Sequence, residues 1–323
     1  MPTTVYFATN RVVTDAADAV SGYPATMVPP LSPNAITYGT AFVNGVNVAT
    51  NSPGVVTEIS DINRGGFSPQ ALDDLRNEGR DLLVFIHGFD NTFSDAITRA
   101  AFNREWLAAS QMEGTNTAVI AFSWPSKGEI VSFPIPQEAY LADQHMARNS
   151  GSALMSFLAN LNPILAAARA QGRRATLLAH SMGNLAFEAA VETWFLDGQG
   201  DATMFDLAIL AAGDCSYDAF DQPFPARLSG LVRLAGRVSI YYSQADQVLQ
   251  LSMVVNLGAK RLGQDGPRNR SDPVAFPAAK YQMADCTQFR DYDFDFMNSH
   301  QYYRLSPKVR VIIAGEMGGP VVA

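Results

Sequence analysis

The sequence predicts an α/β protein, built on a mostly parallel, doubly wound sheet with a small N-terminal β extension. Three observations carry that expectation. Short apolar runs recur five times between residues 81 and 244. Stretches of helical period separate them. The runs are apolar at nearly every position instead of at alternate ones, as strands are when helices cover both faces of a sheet. Right-handed crossovers then wind the chain back and forth across it.

Taken in chain order, "TTVYFATNR" (residues 3 to 11) reads as a strand. A Pro-, Gly- and Asn-rich region follows to about residue 57, with "AITYGTAFVNGVNV" as its best extended segment, so residues 1–60 are expected to form the β-rich extension. The five runs are "DLLVFIHGF" (81 to 89), "TAVIAFSW" (117 to 124), "RATLLAHS" (174 to 181), "DLAILAAG" (206 to 213) and "RVSIYYSQ" (237 to 244). Helical period marks residues 94 to 110 and 140 to 172 between them. From 262 to 298 the rhythm is lost, apart from a strand candidate at "KYQMADCT" (280 to 287). That segment is expected to be a lid or pocket-lining insertion in a single domain spanning 1–323.

Composition narrows the function classes. A net charge of −8 without a Lys/Arg run gives no footprint for a phosphate backbone, so nucleic acid is not an expected partner. No uninterrupted apolar stretch approaches the ~20 residues that span a bilayer. The start "MPTTVYFATNRVV" has no basic segment followed by an apolar one, so no signal peptide is expected and a cytoplasmic location is. Cys215 and Cys286 are too few for a disulfide framework and read as buried thiols. No phosphate loop, dinucleotide loop or metal-ligand spacing is present, so neither cofactor nor metal is expected.

The chemistry concentrates in "RRATLLAHSMGNLAFEAA" (173 to 190). An apolar strand runs into His180-Ser181-Met182, and "NLAFEAAVETW" begins a helix at once. So abrupt a change forces a tight turn that lifts the serine side chain clear of the sheet. Small residues are needed two places before and after such a serine. Gly183 meets the second need, and Ala179 meets the first with one methyl more than glycine. The N-terminus of the following helix favours negative charge beside the serine. His180 is expected to pack at the turn, since adjacent residues on a sharp bend point apart.

"HGF" (87 to 89), "AHSMGN" (179 to 184), an acid after a later strand and a late histidine together resemble the α/β-hydrolase superfamily. More closely, "YFATNR", "FIHGFDNTF", "FSWPS" and "LLAHSMGN", in this order, resemble a bacterial subfamily of largely uncharacterised α/β-hydrolases. The resemblance implies a triad in the order Ser, acid, His. His87, His145 and His180 do not lie downstream of Ser181, which leaves His300 as the base. Asp246, just beyond "RVSIYYSQ", is the preferred acid, with Asp214 after "ILAAG" as its competitor. By the same resemblance the oxyanion hole uses the backbone N–H groups of Met182 and Phe89, with His87 and Gly88 shaping the loop.

Aromatic residues crowd the stretch before His300. Phe289, Phe294 and Phe296, together with Trp124, are candidates for lining an apolar pocket, although packing is the commoner use of such side chains. The first expectation is therefore a serine hydrolase acting on a small-molecule carboxylic ester through an acyl-enzyme. An acyltransferase on the same triad and a non-catalytic binding protein on the same fold are the alternatives.

Overall fold

The computed structural model describes residues 2–29, 35–77, 79–109, 117–127 and 137–318. Five strands, β4 (Asp81–Ile86), β5 (Thr117–Ser123), β6 (Ala175–His180), β7 (Phe205–Ala211) and β8 (Ala235–Tyr242), are buried along almost their whole length. They coincide with the five apolar runs. Around them β1 (Thr3–Thr9), β2 (Thr37–Asn44), β3 (Val55–Arg64) and β9 (Tyr281–Asp285) complete one nine-stranded sheet in the order β3-β2-β1-β5-β4-β6-β7-β8-β9. Pairing is parallel from β1 to β9 and antiparallel at β1–β2 and β2–β3.

Alternate side chains on the central strands feed two cores. Leu82, Val84 and Ile86 of β4 face one, with Leu154, Phe157 and Leu161 of α4 (Gly151–Ala170) and Phe187 of α5 (Gly183–Leu196). Leu83 and Phe85 face the other, with Ile97, Phe102 and Trp106 of α2 (Phe93–Ala109) and Val309 and Ile313 of α9 (Pro307–Met317). The remaining helices are α1 (Pro69–Asn77), α3 (Gln137–Asn149), α6 (Gln247–Val255), α7 (Leu262–Asp265) and α8 (Tyr302–Leu305).

The helical stretch expected over 140 to 172 is broken in two at Ser150. Gly151 stands at the break because α5 passes so close that a Cβ there would lie 2.6 Å from that of Ala189. α4 is long and apolar enough to cross a membrane by length and composition, the one such helix among the described residues, and 56% of its most apolar window is buried. The N-terminal extension contains a third strand that the sequence pattern did not mark. β3 lies at the sheet margin with most residues exposed, so it carries no hydrophobic alternation. Two register shifts against β2, one of them beside the left-handed Asp61 (φ 53), bend it.

Residues 262–298 are woven into the body of the molecule. β9 extends the sheet beside β8, and Phe276 is buried against Phe220 and Tyr281. The sheet topology also locates the site. From β4 the chain moves to β5 on one side and later returns to β6 on the other, so the connections at the carboxyl ends of β4 and β6 diverge and leave a crevice.

Candidate active site

Ser181 follows β6 directly and holds a left-handed backbone with φ 56, which costs an L-residue about 1–2 kcal/mol. Surrounding contacts hold it there. Its N–H donates to Ala211 O at 3.1 Å, and its carbonyl accepts from the N–H groups of Asn184 and Asp214, each at 3.0 Å. Asn184 Nδ2 ties both sides of the bend by donating to Ala179 O and Ser181 O, each at 3.1 Å. Gly183 is required by space, since a Cβ there would lie 2.4 Å from His87 O. Ala179 still belongs to β6, in register with Ile86 and Leu210, so its backbone is extended and glycine's freedom is not needed.

His300 ends a short 3₁₀ turn (Asn298–His300), and Asp246 caps α6 through a hydrogen bond from Leu249 N to its Oδ1 at 2.9 Å. The other carboxylate oxygen accepts from His300 Nδ1 at 2.6 Å, and His300 Nε2 lies 2.7 Å from Ser181 Oγ. With Nδ1 as the donor, Nε2 is left as the acceptor for the hydroxyl proton. All three residues are buried. His180 packs against this line: its Nε2–H donates to His300 O at 3.1 Å, and burial pushes its pKa well below the usual imidazole value.

Gly88 follows β4 so closely against Ser181 that a Cβ there would lie 2.5 Å from the serine Cβ. This contact sets the loop after β4 against the serine, and Phe89, the next residue of that loop, lines the same cavity as Ser181. A buried network fixes the loop. Asn91 Nδ2 donates to Gly88 O and Phe89 O, and Asn91 N donates to Ser126 Oγ at 3.2 Å. Ser126 Oγ in turn donates to Asp143 Oδ2 at 2.6 Å.

Arg11, from the N-terminal extension, joins these pieces. Its guanidinium donates to Asn91 O at 2.8 Å, Ser126 O at 3.1 Å, Ser123 Oγ at 3.1 Å and Tyr23 O at 3.4 Å. Burial lowers its pKa to about 10, with Asp143 opposing the shift. The four sequence segments that carried the family resemblance therefore meet at one end of the sheet. "YFATNR", "FIHGFDNTF" and "FSWPS" share this network, and "LLAHSMGN" supplies the serine. His87 is structural: Nδ1–H donates to Gly88 O at 2.9 Å, and burial lowers its pKa to about 3.

Ser181 and Phe89 line a cavity of about 20 Å³. Tyr140 and Asp214 line it together with Val248, Leu251, Ser252 and Val255 of α6. Asp214 accepts from the Tyr140 hydroxyl at 2.7 Å and the Ser252 hydroxyl at 2.6 Å, and pairs with Arg261 Nε at 3.2 Å. It makes no hydrogen bond to either histidine of the site among those described.

The aromatic residues expected at the pocket lie elsewhere. Trp124 is fully buried, stacks on His87 and donates from Nε1 to His87 O at 2.7 Å, which makes it a support of the loop. Phe289 packs against the second core. Phe294 and Phe296 line a separate surface depression with Gln247, Gln250, Leu251 and Arg290, on the outer side of α6. Tyr140, Ser252 and the α6 side chains were missed because no local motif marks them. Among the described residues no group of three His, Cys, Asp or Glu side chains is placed to hold a metal.

The parallel sheet, the bend that presents Ser181 and the divergence of chain at its carboxyl ends are those of an alpha/beta hydrolase. Residues 69–316 match the model of the family described as "Alpha/beta hydrolase of unknown function (DUF900)", and the chain belongs to that family. Among solved structures it is similar to carboxyl esterase 2 from the mycorrhizal fungus Tuber melanosporum, with a TM-score of 0.38 and 9% identity, over 91% of this chain and 85% of that one. No curated protein matches the sequence.

Proposed function

We propose that this protein is a serine hydrolase that cleaves small carboxylic esters through an acyl-enzyme. One observation supports the reading above the others: the continuous line from Asp246 Oδ2 to His300 Nδ1 at 2.6 Å and from His300 Nε2 to Ser181 Oγ at 2.7 Å. His300 takes the hydroxyl proton as Oγ bonds to the ester carbonyl carbon, and Asp246 orients the ring and stabilises its protonated form. The N–H groups of Phe89 and Met182, with the N-terminus of α5 behind them, stabilise the oxyanion. His300 then hands the proton to the leaving oxygen as the carbon–oxygen bond breaks. Water repeats the sequence, releasing the acid and restoring the Ser181 hydroxyl.

A fluorophosphonate probe tests the reading. Labelling is expected on Ser181 and absent in Ser181→Ala, and ester turnover should fall about 10³-fold or more in Ser181→Ala and His300→Ala. Asp246→Asn should cost more in kcat than Asp214→Asn. The second variant should instead lower Tm, because Arg261 then loses its buried counter-charge. Folded wild-type protein that resists the probe, or full turnover by Ser181→Ala, would overturn the proposal.

A further inference from the structure

The cavity beside Ser181 touches Phe89, the loop residue expected to donate to the oxyanion, but His300 is not among its lining residues. The leaving oxygen must lie at His300 Nε2 to receive its proton, so the alcohol portion of an ester lies on the histidine side. The acyl portion is directed into the cavity. That space, about 20 Å³, holds about one water-sized sphere, which is the scale of a methyl group.

Its walls also select by polarity. Tyr140 and Ser252 carry one hydroxyl hydrogen each, and both are donated to Asp214, at 2.7 Å and 2.6 Å, so none is left for a ligand. The Tyr140 oxygen already receives Gln144 Nε2 at 3.0 Å and Asn256 Nδ2 at 3.2 Å. Both Asp214 carboxylate oxygens are engaged, and its charge is offset by Arg261 rather than left to attract a cation. A carboxylate on the acyl group would meet Asp214 with no donor to satisfy it.

Leu251 lines this cavity and also the depression of about 600 Å³ on the outer side of α6, which Phe294, Phe296 and Val254 line with Gln247, Gln250 and Arg290. Leu251 is the one residue that lines both spaces.

Resting on the ester-hydrolase reading, we infer that the site accepts short, uncharged acyl groups, acetyl foremost, and that Leu251 is the specificity-determining residue that stops longer chains. The test is kcat/KM for 4-nitrophenyl acetate, butyrate and octanoate with the wild type, Leu251→Ala and Leu251→Val. The wild type should favour acetate over butyrate by about tenfold or more, the discrimination a filled pocket gives against added methylenes. Leu251→Ala should raise octanoate relative to acetate by about tenfold, and Leu251→Val by less, in the same direction. Wild-type preference for octanoate, or an unchanged chain-length profile in both folded variants, overturns the inference while leaving the hydrolase reading standing. Failure of every ester, together with absent fluorophosphonate labelling of Ser181, removes that reading and the inference with it.

Discussion

Ser181 shows how the fold spends local strain on function: a left-handed serine persists because Asn184, Ala211 and Asp214 over-determine its backbone. The two neighbouring imidazoles carry a different cost. His87 and His180 are buried neutral, with His87 brought from 6.5 down to about 3 by burial. In the unfolded chain both take up protons near pH 6.5, so unfolding binds protons anywhere below that value and above the folded pKa. Stability from both is therefore fully present above about pH 6.5 and falls as pH drops below it, for His87 down to its folded pKa of about 3, by up to about 1.4 kcal/mol per pH unit for each imidazole. His180→Gln should flatten the fall of Tm between about pH 6.5 and 4.5, measured by circular dichroism. An unchanged slope would show that His180 titrates in the folded protein as it does in the unfolded one.

At the scale of elements, the short N-terminal strand and the loop after β4 are coupled through Arg11. Replacing it by Met leaves the carbonyls of Asn91 and Ser126 buried without their donor, at a cost of roughly 3 kcal/mol or more. Because the affected loop carries Phe89, Arg11→Met should lower kcat for ester cleavage while KM changes little; the reverse split would separate the network from the oxyanion. The same coupling explains what was legible beforehand. Ser181 could be named because a strand, a bend and a helix leave a local signature, whereas Asp246 and His300 followed from the Ser, acid, His order that the family resemblance implies, the other histidines lying upstream of the serine or next to it. β1 and the five central strands were legible because burial on both faces makes continuous apolar runs. Arg11, Tyr140, Ser252 and Leu251 were not, since only tertiary folding brings them to the site. Trp124 was misplaced for a related reason: its sequence neighbourhood marks the loop but not the direction of its ring, which lies flat on His87.

Across the whole molecule, the site is assembled from segments 119 residues apart in sequence, with β7 between the strands that precede Ser181 and Asp246. No single element holds the reactive groups. Thermal loss of ester turnover should accordingly coincide with loss of tertiary structure, within a degree or two of the near-ultraviolet dichroism midpoint by the order of shift expected for small energy differences in a chain this large. Inactivation well below that midpoint would mark a locally melting segment at the site. The sheet that binds these parts together ends, on one flank, in β3. Glu58, Asp61 and Arg64 place charge along that exposed ribbon, and its two register shifts keep the free amide and carbonyl groups out of a straight row. The flank is thereby a poor template for fibril growth, and the protein can carry an open margin without recruiting strands from other molecules.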